Sequence, residues 1–380
     1  MSPVGGSGHD EWLLALIPQD TGVTTADLLR LSGLSRPTLT DLLARLRAEG
    51  AVLSEPAVPS GRRGRPAQRW RRPPPRGMFA AIALTRDDVR VRVADGSDQA
   101  VAERERPMNV TLDVRGALDC GLRLLHESLA ELDRYEDSLT ALVLGLPCPV
   151  GGDGDPQARG MMPGWVGVRP GEWLRHRLPG VRITVENDAN LAAFGELTEG
   201  AGRGRSDLIY IKLAAGLGAA LVVGGRLYRG ATGLAGELGH VQINEMGHPC
   251  VCGARGCLAM EQYVAASHAT GRPGPSAILD LFRRCDAGDA AAGRVLGHIG
   301  GLLGEQLGVL ADMLDPECVV ISTDDVPPHP AVLAGIRGGI RRTALPVVSD
   351  LPVIASTLGV RAEAIGGIAL ARAASHRHTD

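Results

Sequence analysis

Three cysteines, Cys250, Cys252 and Cys257, fall within eight residues, and His240 precedes them in the segment GELGHVQINEMGHPCVCGARGC. The spacing H-x9-C-x-C-x4-C offers one imidazole and three thiolates, a set that closes a tetrahedron around Zn2+ and leaves no position open for catalysis. A structural zinc site is therefore the expectation, with Gly253 and Gly256 turning the short loop between ligands. His248 is a rival imidazole, but it stands only two residues from Cys250 and is assigned to the surface. The chain holds seven cysteines in all. An odd number scattered over a long chain suits a metal in a reducing compartment better than a disulfide framework.

At 380 residues the chain is too long for one simple core and suits a small domain followed by a larger, bilobal one. The formal net charge of −3 argues against whole-chain attraction to nucleic acid, so any such contact needs a local concentration of cations. The first residues lack the basic start and apolar core of a signal peptide, and the most apolar run, Leu213 to Gly225, is short and glycine-rich. The expectation is a cytoplasmic protein without membrane contact. Arginine replaces lysine throughout, Lys212 being the only lysine.

Residues 1–76 read as a DNA-binding module. His9 to Ile17 has helical apolar spacing, and a second helix is expected from Thr25 to Ser32, capped by Thr24 or Thr25 and ended by Gly33. Ser35 suits the N-cap of a third, with Pro37 in its first turn, an apolar face of Leu39, Leu42, Leu43 and Leu46, and Gly50 at its end. Helix, glycine turn and capped helix are the parts of a helix-turn-helix, whose later helix presents its N-terminal residues to base edges. Arg36, Pro37, Thr38, Thr40 and Asp41 are the candidates there. AVLSEPAVPSGRRGRPAQRW reads as a two-stranded wing, and Pro56 to Arg76 holds seven arginines and no acidic residue. Arg62, Arg63 and Arg65 are its minor-groove candidates, the last two within an AT-hook-like RGRP. The alternative is a packing or dimerisation module with a solvated arginine linker. Pro73 to Pro75 marks the boundary.

From Met78 onward, strand-like runs (Met78–Leu84, Val89–Ala94, Leu139–Leu146, Val181–Val185, Leu208–Leu213 and Ala219–Val223) alternate with helical patterns. Helices are expected near Val114–Leu132, Ala189–Glu199, Gly300–Met313 and Ala364–Ala374. This is an α/β signature with a largely parallel sheet. GELGH, the C-x-C-G-x2-G-C knot, Glu186-Asn187-Asp188 followed by Ala189-Asn190, Pro163-Gly164-Trp165 and Leu314-Asp315-Pro316-Glu317 stand in one order along the chain. With these landmarks the sequence resembles the ROK family of bacterial repressors and sugar kinases over nearly its whole length.

The resemblance implies an actin-like, ribonuclease-H-like two-lobed sugar-kinase fold preceded by a winged helix-turn-helix. Residues 77–188 would form the first lobe, joined by a C-terminal helix in 360–380, and residues 189–359 the second, with the knot. It further implies that Asn187, Asp188, Glu237 and His240 hold sugar hydroxyls, Asp188 standing at the position of the kinases' general base. Ala259 replaces the family's next sugar-contacting glutamate, and Glu261 is the candidate substitute, displaced by two residues.

Three segments depart from the family's ATP site. Ala83-Leu84-Thr85-Arg86-Asp87 lacks the aspartate and glycines of the first phosphate hairpin. Ala214-Ala215-Gly216-Leu217-Gly218 keeps half of the second loop. Ser322-Thr323-Asp324-Asp325 replaces a glycine pair at the adenosine pocket. The combined expectation is a sugar-responsive transcriptional regulator, by default a repressor, that does not transfer phosphate. Its partners would be double-stranded operator DNA, a sugar effector and further copies of itself as a dimer or tetramer. The alternatives are an ATP-dependent hexose kinase with a DNA-binding head, and a regulator whose ROK domain only dimerises.

Overall fold

The computed structural model describes residues 13–14, 16–18, 22–56, 68–73, 76–99, 101–157, 162–214, 216–274, 276–323 and 326–375. The chain divides into two compact units, Met1–Arg76 and Gly77–Asp380.

In the first unit, α1 (Thr25–Ser32) starts at Thr24, whose hydroxyl accepts the Asp27 N–H at 3.1 Å, and ends at Gly33 with φ 63°. Helix α2 (Arg36–Ala48) starts at Ser35, which accepts the Thr38 N–H at 3.4 Å, with Pro37 in the first turn. Each cap satisfies an amide that the helix start leaves without a partner. Leu39, Leu43 and Leu46 of α2 are buried with Leu28, Val52, Trp70, Leu13 and Ile17, while Leu42 is half-buried. Of the helix expected over His9–Ile17, Leu13 and Leu14 are helical and most of the remainder lies outside the described residues.

The wing gains a strand over the two expected. Strands β1 (Val23–Thr24), β2 (Leu53–Pro56) and β3 (Gln68–Arg71) form an antiparallel sheet with β3 central. Trp70, opposite Val23, is buried and donates its indole N–H to Thr25 Oγ1 at 2.9 Å, which ties the wing to the start of α1.

The second unit contains two five-stranded sheets of one topology. The first comprises β4 (Met78–Leu84), β5 (Asp88–Asp95), β6 (Val101–Pro107), β7 (Leu139–Leu146) and β8 (Arg182–Asn187) in the order β6-β5-β4-β7-β8. The second comprises β9 (Leu208–Leu213), β10 (Leu217–Val223), β11 (Arg226–Leu227), β12 (Cys318–Ser322) and β13 (Val353–Ala355) in the order β11-β10-β9-β12-β13. In each, the first three strands form an antiparallel meander and the last two run parallel to the first. The sheets are thus mixed, not largely parallel. The three-residue turns after Leu84 and Leu213 are too short for a crossover and force antiparallel pairing.

Helices α3 (Val114–Glu131), α4 (Pro170–Arg177) and α5 (Asp188–Thr198) precede the second sheet; α6 (Leu258–Thr270), α7 (Ser276–Asp286), α8 (Ala290–Leu314) and α9 (Pro330–Thr343) lie within it. Helix α10 (Ala362–Ser375) returns to the first sheet, where Ile368 and Ala371 pack with Phe79, Ala81, Ala141, Val143 and Leu191. Gly366 permits its contact with α5, because a Cβ there would lie 1.8 Å from the Leu191 carbonyl oxygen. Central strands are apolar on both faces, as sheets covered twice require. In β9, Ile209, Ile211 and Leu213 join the core of α6 to α9, while Leu208 and Tyr210 face Ala189, Ala192 and Ala193 of α5. No helix among the described residues is long and apolar enough to cross a membrane.

Candidate functional site

Between β10 and α6 the chain makes the turn of Leu238–His240 and then the knot. Bridges Gln242↔Cys257 and Pro249↔Arg255 fold the knot back on itself. Gly256, with φ 61°, has no alternative there: a Cβ would lie 1.7 Å from the Asn244 carbonyl oxygen. One ligand atom from each of His240, Cys250, Cys252 and Cys257 lies within 4.8 Å of all the others. His240 Nδ1 is 3.4 Å from Cys250 Sγ, and Cys252 Sγ is 3.6 Å from Cys257 Sγ. A tetrahedron with Zn–S of about 2.3 Å and Zn–N of about 2.0–2.1 Å has edges of about 3.8 Å between sulfurs and about 3.6 Å from nitrogen to sulfur. These two separations lie within a few tenths of an ångström of such edges, and the four residues suit a structural zinc ion. Burial lowers the His240 pKa, which favours the neutral imidazole that a metal needs. His248 stands aside from the cluster, its backbone N–H donating to Glu261 at 3.0 Å.

Beside this centre lies a cleft of about 650 Å³, lined by Asn187, Asp188, Glu237 and His240. The Glu186-Asn187-Asp188 turn is fixed from below. Buried Glu186 takes a 2.6 Å ion pair from Arg229 and accepts from Asn190 Nδ2 at 2.8 Å and from the Asn187 N–H at 3.0 Å. Asn187, not Asp188, caps α5: its Oδ1 accepts the Asn190 N–H at 3.2 Å, and its Nδ2 donates to the Cys148 carbonyl and to Asp188, each at 3.1 Å. Asp188 is the first helical residue, the favourable end of the helix dipole for an anion.

Across the cleft, the Glu237 carboxylate has no hydrogen-bond partner among the described residues. Burial and the neighbouring Asp188 push its pKa up to about 7. His240 presents Nδ1 to the knot and leaves its other ring nitrogen for the cleft that the residue lines. A metal ligand held in this way has a fixed ring orientation.

Glu261 is not brought to the cleft. It lies in the first turn of α6, where its carboxylate accepts from His248 N and, at 3.4 Å, from Asn244 Nδ2, so it braces the knot. One helical turn places residues 259 and 261 on different faces, and it is Ala259 that lines the cleft.

Lys212 was not among the sequence candidates. It projects from β9 to Asp188 Oδ2 at 3.1 Å and to Glu363 at the start of α10, joining both sheets through a cluster whose side chains are 13%, 15% and 6% exposed. Its standing as the only lysine of an arginine-rich chain was the available signal.

In the β4–β5 turn, Thr85 Oγ1 accepts the backbone N–H groups of Asp87 and Asp88 at 3.2 and 3.1 Å. In the second loop Ala214 N–H donates to the Gly216 carbonyl at 3.0 Å, with Ala215 outside the described residues. Thr323 lines the cleft, and Asp324 and Asp325 also lie outside them.

In the first unit, Arg36, Pro37, Thr38, Thr40 and Asp41 are all exposed at the start of α2. The Thr38 hydroxyl is bonded to Ser35 Oγ at 2.7 Å, and Thr40 donates to the Arg36 carbonyl at 2.8 Å. Arg36 and Asp41 are therefore the charged groups among these five exposed residues. Arg62, Arg63 and Arg65 fall on the β2–β3 connection, outside the described residues.

The chain aligns with the glucokinase of Halalkalibacterium halodurans at 35% identity, over 49% of this chain and 62% of that protein. It aligns with the xylose repressor of Bacillus spizizenii at 32% identity, over 49% of each. It thus spans about half to three fifths of these two relatives. The DNA-binding transcriptional repressor Mlc of Escherichia coli K12 is 24% identical over 95% of this chain and 92% of its own. Among solved structures, a ROK family transcriptional regulator homologous to Escherichia coli Mlc superposes with a TM-score of 0.71, at 23% identity, over 97% of this chain and 96% of that one. A ROK family glucokinase from Streptomyces griseus superposes at 0.61, with 24% identity, over 78% of this chain and all of its own. At these identities the likeness is one of fold. The family model for ROK proteins matches residues 80–374; with its knot, its duplicated sheet topology and the cleft between them in place, the chain belongs to the ROK family.

Proposed function

We propose that this chain is a cytoplasmic, sugar-responsive transcriptional repressor. Its α2 surface and wing bind operator DNA, and its ROK domain binds a carbohydrate without transferring phosphate. One observation carries the reading: Asp188, the unpartnered carboxylate of Glu237 and the zinc-oriented His240 line one cleft, while the hairpin beside it has turned its amides inward onto Thr85. Paired carboxylates and an imidazole suit bridging hydroxyls in a cleft that excludes competing water. Phosphoryl transfer depends on amides and a metal positioned on phosphate. Amides already bonded to Thr85 do not offer that.

Asp188 already holds donors from within the protein: Lys212 Nζ at 3.1 Å, the Ala189 backbone N–H at 2.8 Å and the Asn187 side-chain Nδ2 at 3.1 Å. Its role is to accept sugar hydroxyls, with Glu237 and His240 holding others and Asn187 shaping the turn. In a homodimer, two α2 helices would meet half-sites of a pseudo-palindrome. Sugar that binds a closed cleft more tightly than the DNA-competent form would release the operator.

The test is Asp188→Ala, read by operator gel shift with and without sugar. DNA binding is retained and the sugar response is lost; unchanged induction would refute the pocket. A coupled phosphate-transfer assay over a hexose panel addresses the kinase alternative, which turnover abolished by the same substitution would establish. Absence of any sugar-induced thermal shift would favour the dimerisation scaffold.

A further inference from the structure

The cleft is larger than a single sugar ring needs. Its volume of about 650 Å³ corresponds to about twenty water volumes of roughly 30 Å³ each, against about a dozen non-hydrogen atoms in a hexose. It is also elongated. Ala259, Tyr263, Val264 and Ser267 line it along one face of α6, a run of about 12 Å at 1.5 Å per residue. The lining changes in chemistry along this run. Asp188, Glu237 and His240 lie next to the knot, with Leu217 and Ala259 beside them, whereas Val264, Leu279 and Phe282 of α6 and α7 add apolar surface farther along, together with Arg283 and Asp286.

The lining offers no surplus of positive charge to an anionic occupant. Among the described residues, the four cations Arg86, Arg90, Lys212 and Arg283 stand against five carboxylates, of which Glu237 has its pKa pushed up to about 7, and Arg90 and Lys212 are paired with Asp88 and Asp188. A nucleotide or a sugar phosphate would bring negative charge that the lining does not match with positive charge. Neutral rings suit the far end: the C–H face of a pyranose and an aromatic aglycone both pack against aliphatic and aromatic side chains.

We propose that the cleft has two subsites and that its ligand is an uncharged glycoside. One ring is held by Asp188, Glu237 and His240; a second sugar ring or an aglycone lies along α6 against Val264, Ser267, Leu279 and Phe282. This rests on the carbohydrate-binding reading above and extends it from sugar to two-ring glycoside.

Isothermal titration calorimetry of the full-length, zinc-loaded protein tests it with matched pairs: glucose and cellobiose, xylose and xylobiose, N-acetylglucosamine and chitobiose, together with phenyl β-glucoside and ADP. At least one two-ring ligand binds about tenfold or more tightly than its parent monosaccharide, and ADP gives no heat. Val264→Trp, which fills the far subsite, removes that advantage while zinc content and melting temperature are kept; Ser267→Phe repeats the test if the first variant folds poorly. A gain confined to phenyl β-glucoside identifies the second ring as an aglycone, and a gain shared by a disaccharide identifies it as sugar. Monosaccharides that bind as tightly as every two-ring ligand, or ADP that competes with them, would overturn the two-subsite proposal and leave carbohydrate binding standing. No binding by any sugar would overturn both.

Discussion

Replacing Lys212 by methionine tests the ionic cluster on which both sheets converge. The substitution keeps the length and most of the packing of the side chain but removes the ammonium from between Asp188 and Glu363, whose side chains are 15% and 6% exposed. Deleting one partner of a buried pair costs about 3–5 kcal/mol, because the remaining charge stays desolvated. Asp188 keeps the Ala189 and Asn187 donors, which argues for the lower end, about 3 kcal/mol. At about 2 °C per kcal/mol for a unit of this size, the melting temperature falls by roughly 6 °C.

Differential scanning calorimetry reads the loss, and Lys212→Met combined with Glu363→Gln should recover much of it. A deficit below about 1 kcal/mol would refute the buried-cluster argument.

Three further expectations follow from the geometry. Metal analysis finds one zinc per chain, and Cys257→Ser or a strong chelator lowers the melting temperature and abolishes sugar binding together, because His240 belongs to both sites; sugar affinity surviving zinc loss would break that link. Gly366→Ala places a Cβ against the Leu191 carbonyl oxygen and destabilises the ROK domain by about 3 kcal/mol in thermal unfolding, the upper range for overpacking. Ser35→Ala removes the cap of α2, costs about 1 kcal/mol and weakens operator binding in a gel shift without changing sugar affinity.

The knot was legible from spacing because its ligands are close in the chain, so local backbone geometry brings Cys250, Cys252 and Cys257 together almost without help from the rest of the fold. The α1–α2 caps were legible for the same reason: Thr24 and Ser35 bond amides three residues ahead. The N-terminal half of α8 was hidden by Gly293, Gly297 and Gly300, poor helix formers, of which Gly297 and Gly300 serve the close approach of α9, whose Val332 carbonyl would lie 2.3 Å from a Cβ at Gly300. Strand β6 was hidden by the polar run VAERERP of an edge strand.

The sequence by itself determined the zinc ligands, the capped helices, the family and several of the polar residues that line the cleft, all carried by short-range spacing. Only the tertiary structure decided which of those residues share a cleft. Glu261 turns to the knot and Ala259 to the cleft because α6 rotates each residue by about 100°. Lys212 enters the site because β9 and the start of α10, separated in the chain by the whole of the knot and the four helices α6 to α9, close on the same point. Such a meeting depends on how elements pack, and no local pattern of residues encodes it.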